Sequence, residues 1–198
     1  LLSRRQRQMC IRDSKMLGRT TDDAAGEAFD KAARVLNIPY PGGPLLDKLA
    51  EEGNPEAYRF PKIHTEGKYD FSFSGLKTAV INQAHMLRQK GEEIRVADWS
   101  ASLRKAVVDM LVDKTLAACR DTGAKSVALA GGVASNRLLR REMERRGTKM
   151  GLKVYMPPVA LCTDNAVMIG SAAFYRLMTG EPAPLSLNAQ PSIRLIEE

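Results

Sequence analysis

Residues 126–157 read SVALAGGVASNRLLRREMERRGTKMGLKVYMP and predict a strand, a glycine-rich turn, a helix and a second strand. The short apolar runs at 126–130 and 152–157 have the length and composition of buried strands. A second helix is expected next, capped by Thr163 or Asp164. Strands that alternate with helices are typical of a layer with a parallel sheet, so the expected fold class is α/β.

By composition, the chain divides into a mainly helical part at about 20–122, an α/β part at about 124–180 and a tail at 181–198. Thr20 and Asp23 resemble a capping box that starts a helix in the first part. The tail contains three prolines, which cannot continue a helix. We therefore expect the tail to be extended.

Two patterns within the helical part predict single elements. Tyr69, Phe71 and Phe73 alternate with polar residues, as on a strand with one buried face. Apolar residues recur at helical spacing over 98–120, and Gly123 follows where a C-cap is expected. The first pattern predicts a strand and the second a long helix.

The composition excludes several classes of protein. Hydrophobic residues make up 44% of the 198 residues and charged residues 27%, a balance that excludes collagen-like, disulfide-scaffold and disordered chains. No apolar run reaches the ~20 residues of a membrane-spanning helix. Three cysteines without metal-ligand spacing fit a reduced, cytoplasmic protein.

The net charge of +7 is unevenly distributed along the chain. Residues 1–14 contain four arginines and one aspartate, and so carry +3 of that charge. A basic arm for nucleic acid is one interpretation of this segment. We favour the other, that residues 1–15 are an extraneous or mis-assembled leader, because they join an organised sequence with no linker between.

Two turns from strand to helix are candidate binding positions, because ligands of open α/β sheets bind beyond the carboxyl ends of the strands. In the first turn, Gly131 and Gly132 allow a ligand to approach the backbone, and Asn136 offers an amide to a ribose hydroxyl or a base edge. The alternative, that Asn136 only caps the helix, is equally supported. In the second turn, Asp164 is either an N-cap or one ligand of a metal.

Two clusters of like charge also stand out. Asp23, Glu27 and Asp30 share a helix face, which is unfavourable unless the face meets a cation, a metal or ligand hydroxyls. Asp30 and the PGGP turn are a candidate second half of a nucleoside site. Seven basic residues crowd the helix after Asn136 and its exit, and they indicate either a solvated face or contact with a nucleic-acid backbone.

Five blocks in a fixed order make the sequence specific beyond its fold class: DDAAGEAFDKAARVL, YPGGP, YDFSFSGLKTA, ALAGGVASNRLLR and CTDNAVMIG. Together they resemble the carboxy-terminal part of the tRNA N6-adenosine threonylcarbamoyltransferase family, also called TsaD, YgjD or glycoprotease-like. The resemblance runs from about Leu17 to Arg194. No nucleophile–base pair is legible, so endopeptidase activity is not expected.

The resemblance implies an actin-like, sugar-kinase-like (ASKHA) lobe with a βαβα core and a helical insertion. It implies an acyltransferase that moves the threonylcarbamoyl group from threonylcarbamoyl-adenylate to N6 of the adenosine 3′ of the anticodon, in tRNAs reading codons that begin with A (the t6A modification). It further implies one divalent metal per subunit, iron or zinc. The implied protein partners are a TsaB-like paralogue and a TsaE-like ATPase.

The resemblance also assigns site residues by motif match. Asp30, Gly43, Asp47 and Asn136 correspond to adenylate-binding positions, and Asp164 corresponds to the metal-ligating aspartate. No catalytic base is assigned. Acyl transfer from a mixed anhydride would then depend mainly on positioning the amine and polarising the carbonyl through the metal.

The sequence departs from the family pattern in one respect. The family's amino-terminal lobe, with its His-x-x-x-His metal ligands, is missing, so we expect a fragment that is inactive alone. Two other functions stay open at this point: a non-catalytic lobe that binds nucleotide or tRNA, and an O-carbamoyltransferase, which shares the fold. The FSFSGLKT block favours the tRNA enzyme.

Overall fold

The computed structural model describes residues 15–180 together with Pro184, Ser186 and Asn188. The expected leader and the expected extended tail therefore lie almost entirely outside the described residues. The chain forms two compact units, one spanning Gly18–Asp164 and the other containing the last helix.

Four helices make up most of the unit Gly18–Asp164. In chain order they are α1 (Ala25–Val35), α2 (Gly42–Leu49), α3 (Ser74–Gln89) and α4 (Val96–Thr122). Gly123 ends α4 in the left-handed conformation, at φ 65°, where a residue without a Cβ atom is not strained. The long helix predicted from apolar spacing is therefore confirmed, together with its glycine C-cap.

An apolar core holds these four helices together. Its centre is Trp99, which is completely buried and meets the ring of Phe60 edge-on at 5.4 Å between centroids. The buried side chains around it come from all four helices and include Phe29, Leu46, Leu76, Val80, Leu103 and Val107. Each large apolar side chain buried in this way stabilises the fold by about 1.5–3 kcal/mol.

A small parallel sheet follows the helices. Strands β1 (Ser126–Ala128) and β2 (Lys153–Tyr155) pair in parallel. A 3₁₀ turn (Gly132–Ser135) and helix α5 (Arg137–Lys149) connect them, as a parallel crossover requires. The buried side chains Leu139 and Met143 of α5 pack in one cluster with Val108 and Val112 of α4. The predicted α/β arrangement with parallel strands is confirmed, but the expected burial of the strands is wrong: in each strand only the middle residue is half-buried, because each strand pairs with one neighbour among the described residues.

The prediction of a strand over 69–74 is wrong. Among the described residues, Phe71 makes only an isolated bridge to Thr20, and helix α3 already begins at Ser74. The helix begins early because the carboxylate of Asp22 accepts the Phe73 N–H at 2.7 Å and the Ser74 hydroxyl at 2.6 Å, next to the first turn of α3. A remote carboxylate thus outweighs the alternating pattern.

Two predicted helix caps are also wrong. Thr20 does not cap α1: the residue before that helix is Ala24, while the Thr20 hydroxyl donates to the Asp23 carbonyl at 2.7 Å. Neither Thr163 nor Asp164 caps the last helix, α6 (Ala166–Thr179). Its cap is Asn165, which has the extended backbone that an N-cap needs and accepts the Met168 N–H at 3.1 Å.

No described helix is both long enough and apolar enough to span a membrane.

Candidate functional site

The turn after β1 is shaped by one glycine and one asparagine. Gly131 has φ 85°, a conformation that strains residues with a side chain. Asn136 then caps α5, because its Oδ1 atom accepts the Leu139 N–H at 3.0 Å. The amide nitrogen of Asn136 has no hydrogen-bond partner among the described residues. Capping uses one end of the Asn136 side chain and leaves the other as a donor for a ligand.

Asp30 and the glycine pair of α2 are in direct contact. The Asp30 Oδ1 atom accepts the Gly43 N–H at 3.0 Å. A Cβ atom on Gly42 would lie only 2.4 Å from the Cβ of Ala33, so α1 and α2 approach too closely for any side chain there. The other oxygen of Asp30 bonds to none of the described residues and can accept from a ligand hydroxyl.

Asp47 links α2 to α4 and to α5. Its Oδ1 atom lies 3.0 Å from Nη1 of Arg104 on α4, and its Oδ2 atom accepts the backbone N–H of Arg137, the first residue of α5, at 3.3 Å. The Asp47 side chain is only 12% exposed. Asp47 thus holds the turn that contains Gly43 at a set distance from the turn that contains Asn136.

Arg104 is the partner that the sequence analysis missed. It is nearly buried, and it donates to Asp47, to Glu51 at 2.5 Å and to the Ala50 carbonyl at 3.0 Å. The hydrogen bond from Arg104 lowers the pKa of Glu51 against the effect of burial, and the charges of Arg141 and Arg137 lower it further. The available signal was an arginine among the apolar residues of the longest predicted helix.

The acidic helix face predicted on α1 has its own cation. Lys31 lies 2.7 Å from a carboxylate oxygen of both Asp23 and Glu27. Hydrogen bonds to these two carboxylates raise the pKa of Lys31. Asp23 and Glu27 therefore need no ligand to relieve their repulsion, and Asp30 is the member of this face that contacts α2.

Arg140, which the sequence grouped with a basic surface, instead ties loops together. Its Nη1 atom donates to the Ala134 carbonyl at 3.0 Å, and its Nη2 atom donates to the Pro157 carbonyl at 2.9 Å. Nη1 also lies 3.8 Å from the sulfur of Cys162. One guanidinium thus joins the turn after β1, the segment after β2 and the start of the turn that holds Asp164.

Asp164 lies in an exposed turn beside these loops. A Cβ atom on Gly132 would be 3.8 Å from the Cγ2 atom of its neighbour Thr163, so the two strand-to-helix turns are adjacent. Asp164 makes no hydrogen bond to Asp30, Gly43, Asp47 or Asn136.

The described residues do not make up a metal site by themselves. Among them there is no group of three or more His, Cys, Asp and Glu side chains placed to hold a metal. Asp164 is a single exposed carboxylate, which cannot hold a transition metal alone. Within the described part of the chain, Asp164 could therefore supply at most one of the ligands that such a metal needs.

A surface cavity of about 730 Å³ opens next to the turn after β1. Most of its lining comes from α5, and the lining residues are Ser135, Arg137, Arg140, Arg141, Glu144, Arg145 and Val159. Four arginines face one glutamate, so the cavity is strongly positive. It borders Asn136 on both sides, through Ser135 and Arg137.

The fold and this site define an α/β protein in which Asp47 of a glycine-led helix bonds to the first residue of α5, and in which two strand-to-helix turns lie side by side. The family model for tRNA N6-adenosine threonylcarbamoyltransferase (TsaD) matches residues 1–171. The chain belongs to this family.

Curated relatives agree with that assignment. The chain is 57% identical over 182 residues to a tRNA N6-adenosine threonylcarbamoyltransferase of Moorella thermoacetica, covering 91% of this chain and 53% of the relative. It is 52% identical over 184 residues to the protein of that name from Clostridium perfringens, covering 92% and 54%. The chain therefore spans about half the length of the curated relatives it matches.

A solved structure supports the fold. Full-length HypF, in its phosphate- and nucleotide-bound form, is similar with a TM-score of 0.58 over 80% of this chain and 21% of its own. The sequences are 21% identical, so this similarity concerns the fold alone.

Proposed function

We propose that this chain provides the adenylate-binding part of an enzyme that transfers a threonylcarbamoyl group from threonylcarbamoyl-adenylate to N6 of the adenosine 3′ of the anticodon, in tRNAs reading codons that begin with A. Family membership and the names of the relatives support the reaction. This chain spans about half the length of those relatives, so the activity is proposed for an enzyme of their full length.

One observation carries the assignment of the adenylate site. Asp30 and Asn136 each use one polar atom for a structural hydrogen bond and keep the other for a ligand. Asp47 connects their two turns through α2 and the first residue of α5. We therefore propose that Asp30 accepts from a ribose hydroxyl and that Asn136 donates to the same nucleoside. In this proposal Gly43 permits close approach, and Asp47 acts by holding the two turns in place.

The proposed reaction is acyl transfer from a mixed anhydride. N6 of the tRNA adenosine attacks the carbamoyl carbon, a C–N bond forms, and the C–O bond to the phosphate breaks. AMP leaves with the bonding electron pair, and the attacking nitrogen loses one proton. Because the leaving group is already good, the task of this chain is to hold the adenylate so that the amine meets the face of its carbonyl carbon.

The remaining expectations belong to the whole enzyme and stay proposals. Asp164 would supply one ligand to a divalent metal, iron or zinc, with the other ligands from the part of the longer relatives that this chain does not span. The described α/β fold would form one lobe of an actin-like (ASKHA) enzyme. A TsaB-like paralogue, a TsaE-like ATPase and a cytoplasmic location follow from the same family resemblance.

Adenylate binding to the 198-residue chain tests the proposal. The measurement is isothermal titration with AMP on the unchanged chain and on two variants, Asn136→Ser and Asn136→Ala. Serine keeps a cap for α5 but has no amide donor, whereas alanine has neither. We expect both variants to bind AMP more weakly by about tenfold, which corresponds to the 1.4 kcal/mol of one hydrogen bond.

The comparison of the two variants separates binding from folding. Asn136→Ser should keep the thermal stability of the unchanged chain, while Asn136→Ala should lose about 1 kcal/mol with its cap. If the serine variant bound AMP as tightly as the unchanged chain, Asn136 would not contact the nucleotide and the proposed site would be wrong.

A further inference from the structure

The arginines of α5 differ in whether they have partners within the structure. Arg145 forms an ion pair with Glu142 at 2.6 Å, and Arg146 forms one with Asp113 at 2.6 Å. The guanidinium of Arg140 donates to two backbone carbonyls. These arginines therefore have structural partners.

Arg137 and Arg141 have no such partners. Both side chains are exposed, and neither forms a hydrogen bond or an ion pair with any described residue. Their charges reach Glu51, but the carboxylate of Glu51 is already bound by Arg104. They are four residues apart, so they project from the same side of α5 about 6 Å from each other.

These two free cations line the cavity beside Asn136. Arg140 and Arg145 add to the positive potential there, and Glu144 is the one acidic residue of the lining. Guanidinium groups match the geometry of phosphate oxygens in two-point contacts. Because the lining contains no aromatic ring, bases have nothing to stack on, and the backbone of a nucleic acid is the better fit.

We propose that Arg137 and Arg141 bind successive backbone phosphates of the tRNA substrate as it passes the adenylate site. This inference rests on the proposed function and adds to it the surface of this chain that the RNA contacts. The position fits, because Arg137 follows Asn136 directly and its backbone N–H is held by Asp47. A phosphate bound at this surface would bring the RNA next to the nucleotide that carries the group to be transferred.

Equilibrium binding of an unmodified tRNA transcript to the 198-residue chain tests this inference. The dissociation constant is measured by fluorescence anisotropy between about 50 and 200 mM salt, a range over which phosphate contacts weaken steeply. The double variant Arg137→Gln, Arg141→Gln should bind at least about tenfold more weakly at the low end and reduce the salt slope by about 1.5, for two lost phosphate contacts. Arg137→Lys, Arg141→Lys keeps both charges and should keep most of the slope.

The matched control is Arg59→Gln. Arg59 is exposed and, within the described part of the chain, pairs with no carboxylate, so this variant removes one equivalent charge from the loop before α3. It should leave the salt slope unchanged. Circular dichroism melting of every variant shows that each is folded.

The inference would be overturned by an unchanged slope in the double variant, by a change at least half as large in the Arg59→Gln control, which removes one charge instead of two, or by no tRNA binding to the unchanged chain. An anionic lipid vesicle that competed with tRNA for the unchanged chain, and not for the double variant, would assign the surface to a membrane and also contradict it. AMP binding is measured without RNA, so failure here does not affect the test of the adenylate site.

Discussion

The Oδ2 atom of Asp47 accepts the backbone N–H of Arg137 at 3.3 Å, across 90 residues of sequence. The same carboxylate is held from the other side by Arg104. This one side chain therefore sets the distance between the Gly42–Gly43 turn and the N-terminus of α5, the two places where the proposed adenylate would be bound.

Replacing Asp47 should separate these two turns. Asp47→Asn keeps the shape of the side chain but removes the charge that Arg104 faces, and we expect a loss of about 1.5–3 kcal/mol in the free energy of unfolding. Urea unfolding followed by circular dichroism measures it. The control is Asp109→Asn, because Asp109 forms a half-buried pair with Lys105 that is more open to water than the Asp47–Arg104 pair, and it should lose less, about 1 kcal/mol. Equal losses in both variants would show that the buried bridge has no special role.

The two neighbouring glycines of α2 should respond differently to alanine. In Gly42→Ala the new methyl group would collide with Ala33, and such overpacking destabilises by about 1–3 kcal/mol. In Gly43→Ala the nearest atom, the Cβ of Phe29, is 3.7 Å away, which is an ordinary contact. We expect Gly43→Ala to fold normally but to bind AMP more weakly. Thermal melting of both variants measures the stability, and AMP titration measures the affinity. A Gly43→Ala variant that melted lower than Gly42→Ala would contradict this prediction.

Arg140→Lys should loosen the loops at the end of the sheet. A lysine has a single nitrogen and cannot reach the carbonyls of Ala134 and Pro157 together, so we expect a loss of about 1–3 kcal/mol for the carbonyl left without a donor. Hydrogen exchange should speed up at the Asn136 N–H, which donates to the Val133 carbonyl in this turn. Arg141→Lys is the control, since the Arg141 side chain contacts no described partner. Unchanged exchange in Arg140→Lys would contradict the bridging role.

Asp22 should make stability depend on pH in acid. Partial burial raises its pKa, but hydrogen bonds from Ser72, Ser74 and the Phe73 N–H outweigh burial and lower the pKa from 3.8 to about 2. Because the folded value is the lower one, the contribution of Asp22 is complete above pH 3.8 and is lost as the pH falls through about 2.

The difference in urea midpoint between the unchanged chain and Asp22→Asn measures that contribution. It should be constant at neutral pH and should shrink as the pH is lowered toward 2. The double variant Ser72→Ala, Ser74→Ala removes two of the donors and should flatten this pH dependence. A difference that stayed constant down to pH 2 would mean that Asp22 is not held in its charged form by these groups.

The elements read from periodic patterns over many residues were predicted well. Helix α4 lies where apolar spacing placed it, because burying a long apolar stripe is favourable wherever the rest of the chain goes. The β1–α5–β2 crossover lies where two short apolar runs on either side of a glycine turn and a helix placed it. The short aromatic alternation at 69–74 was misread, because the carboxylate of Asp22, about 50 residues earlier in the chain, satisfies the first turn of α3 instead. Short patterns do not contain that information.

The candidate site was also predictable only in part. The motifs alone single out Asp30, Gly43, Asp47, Asn136 and Asp164 as site residues, and these assignments stay predictions. Sequence could not show that Asn136 both caps α5 and keeps a free amide, because capping depends on where the chain turns after Gly131. It also could not separate Arg140, which binds three loops, from Arg141 on the same helix, which binds none.

The sequence by itself determined the family of this chain, its α/β class and its long helices, since ordered motifs and apolar spacing are properties of the chain alone. The tertiary structure decided which charged side chains are fixed and which are free. Arg104, Arg140 and Asp47 were assigned their partners only when α2, α4 and α5 packed together, because ion pairs and carbonyl contacts depend on distances of about 3 Å that no spacing in sequence encodes.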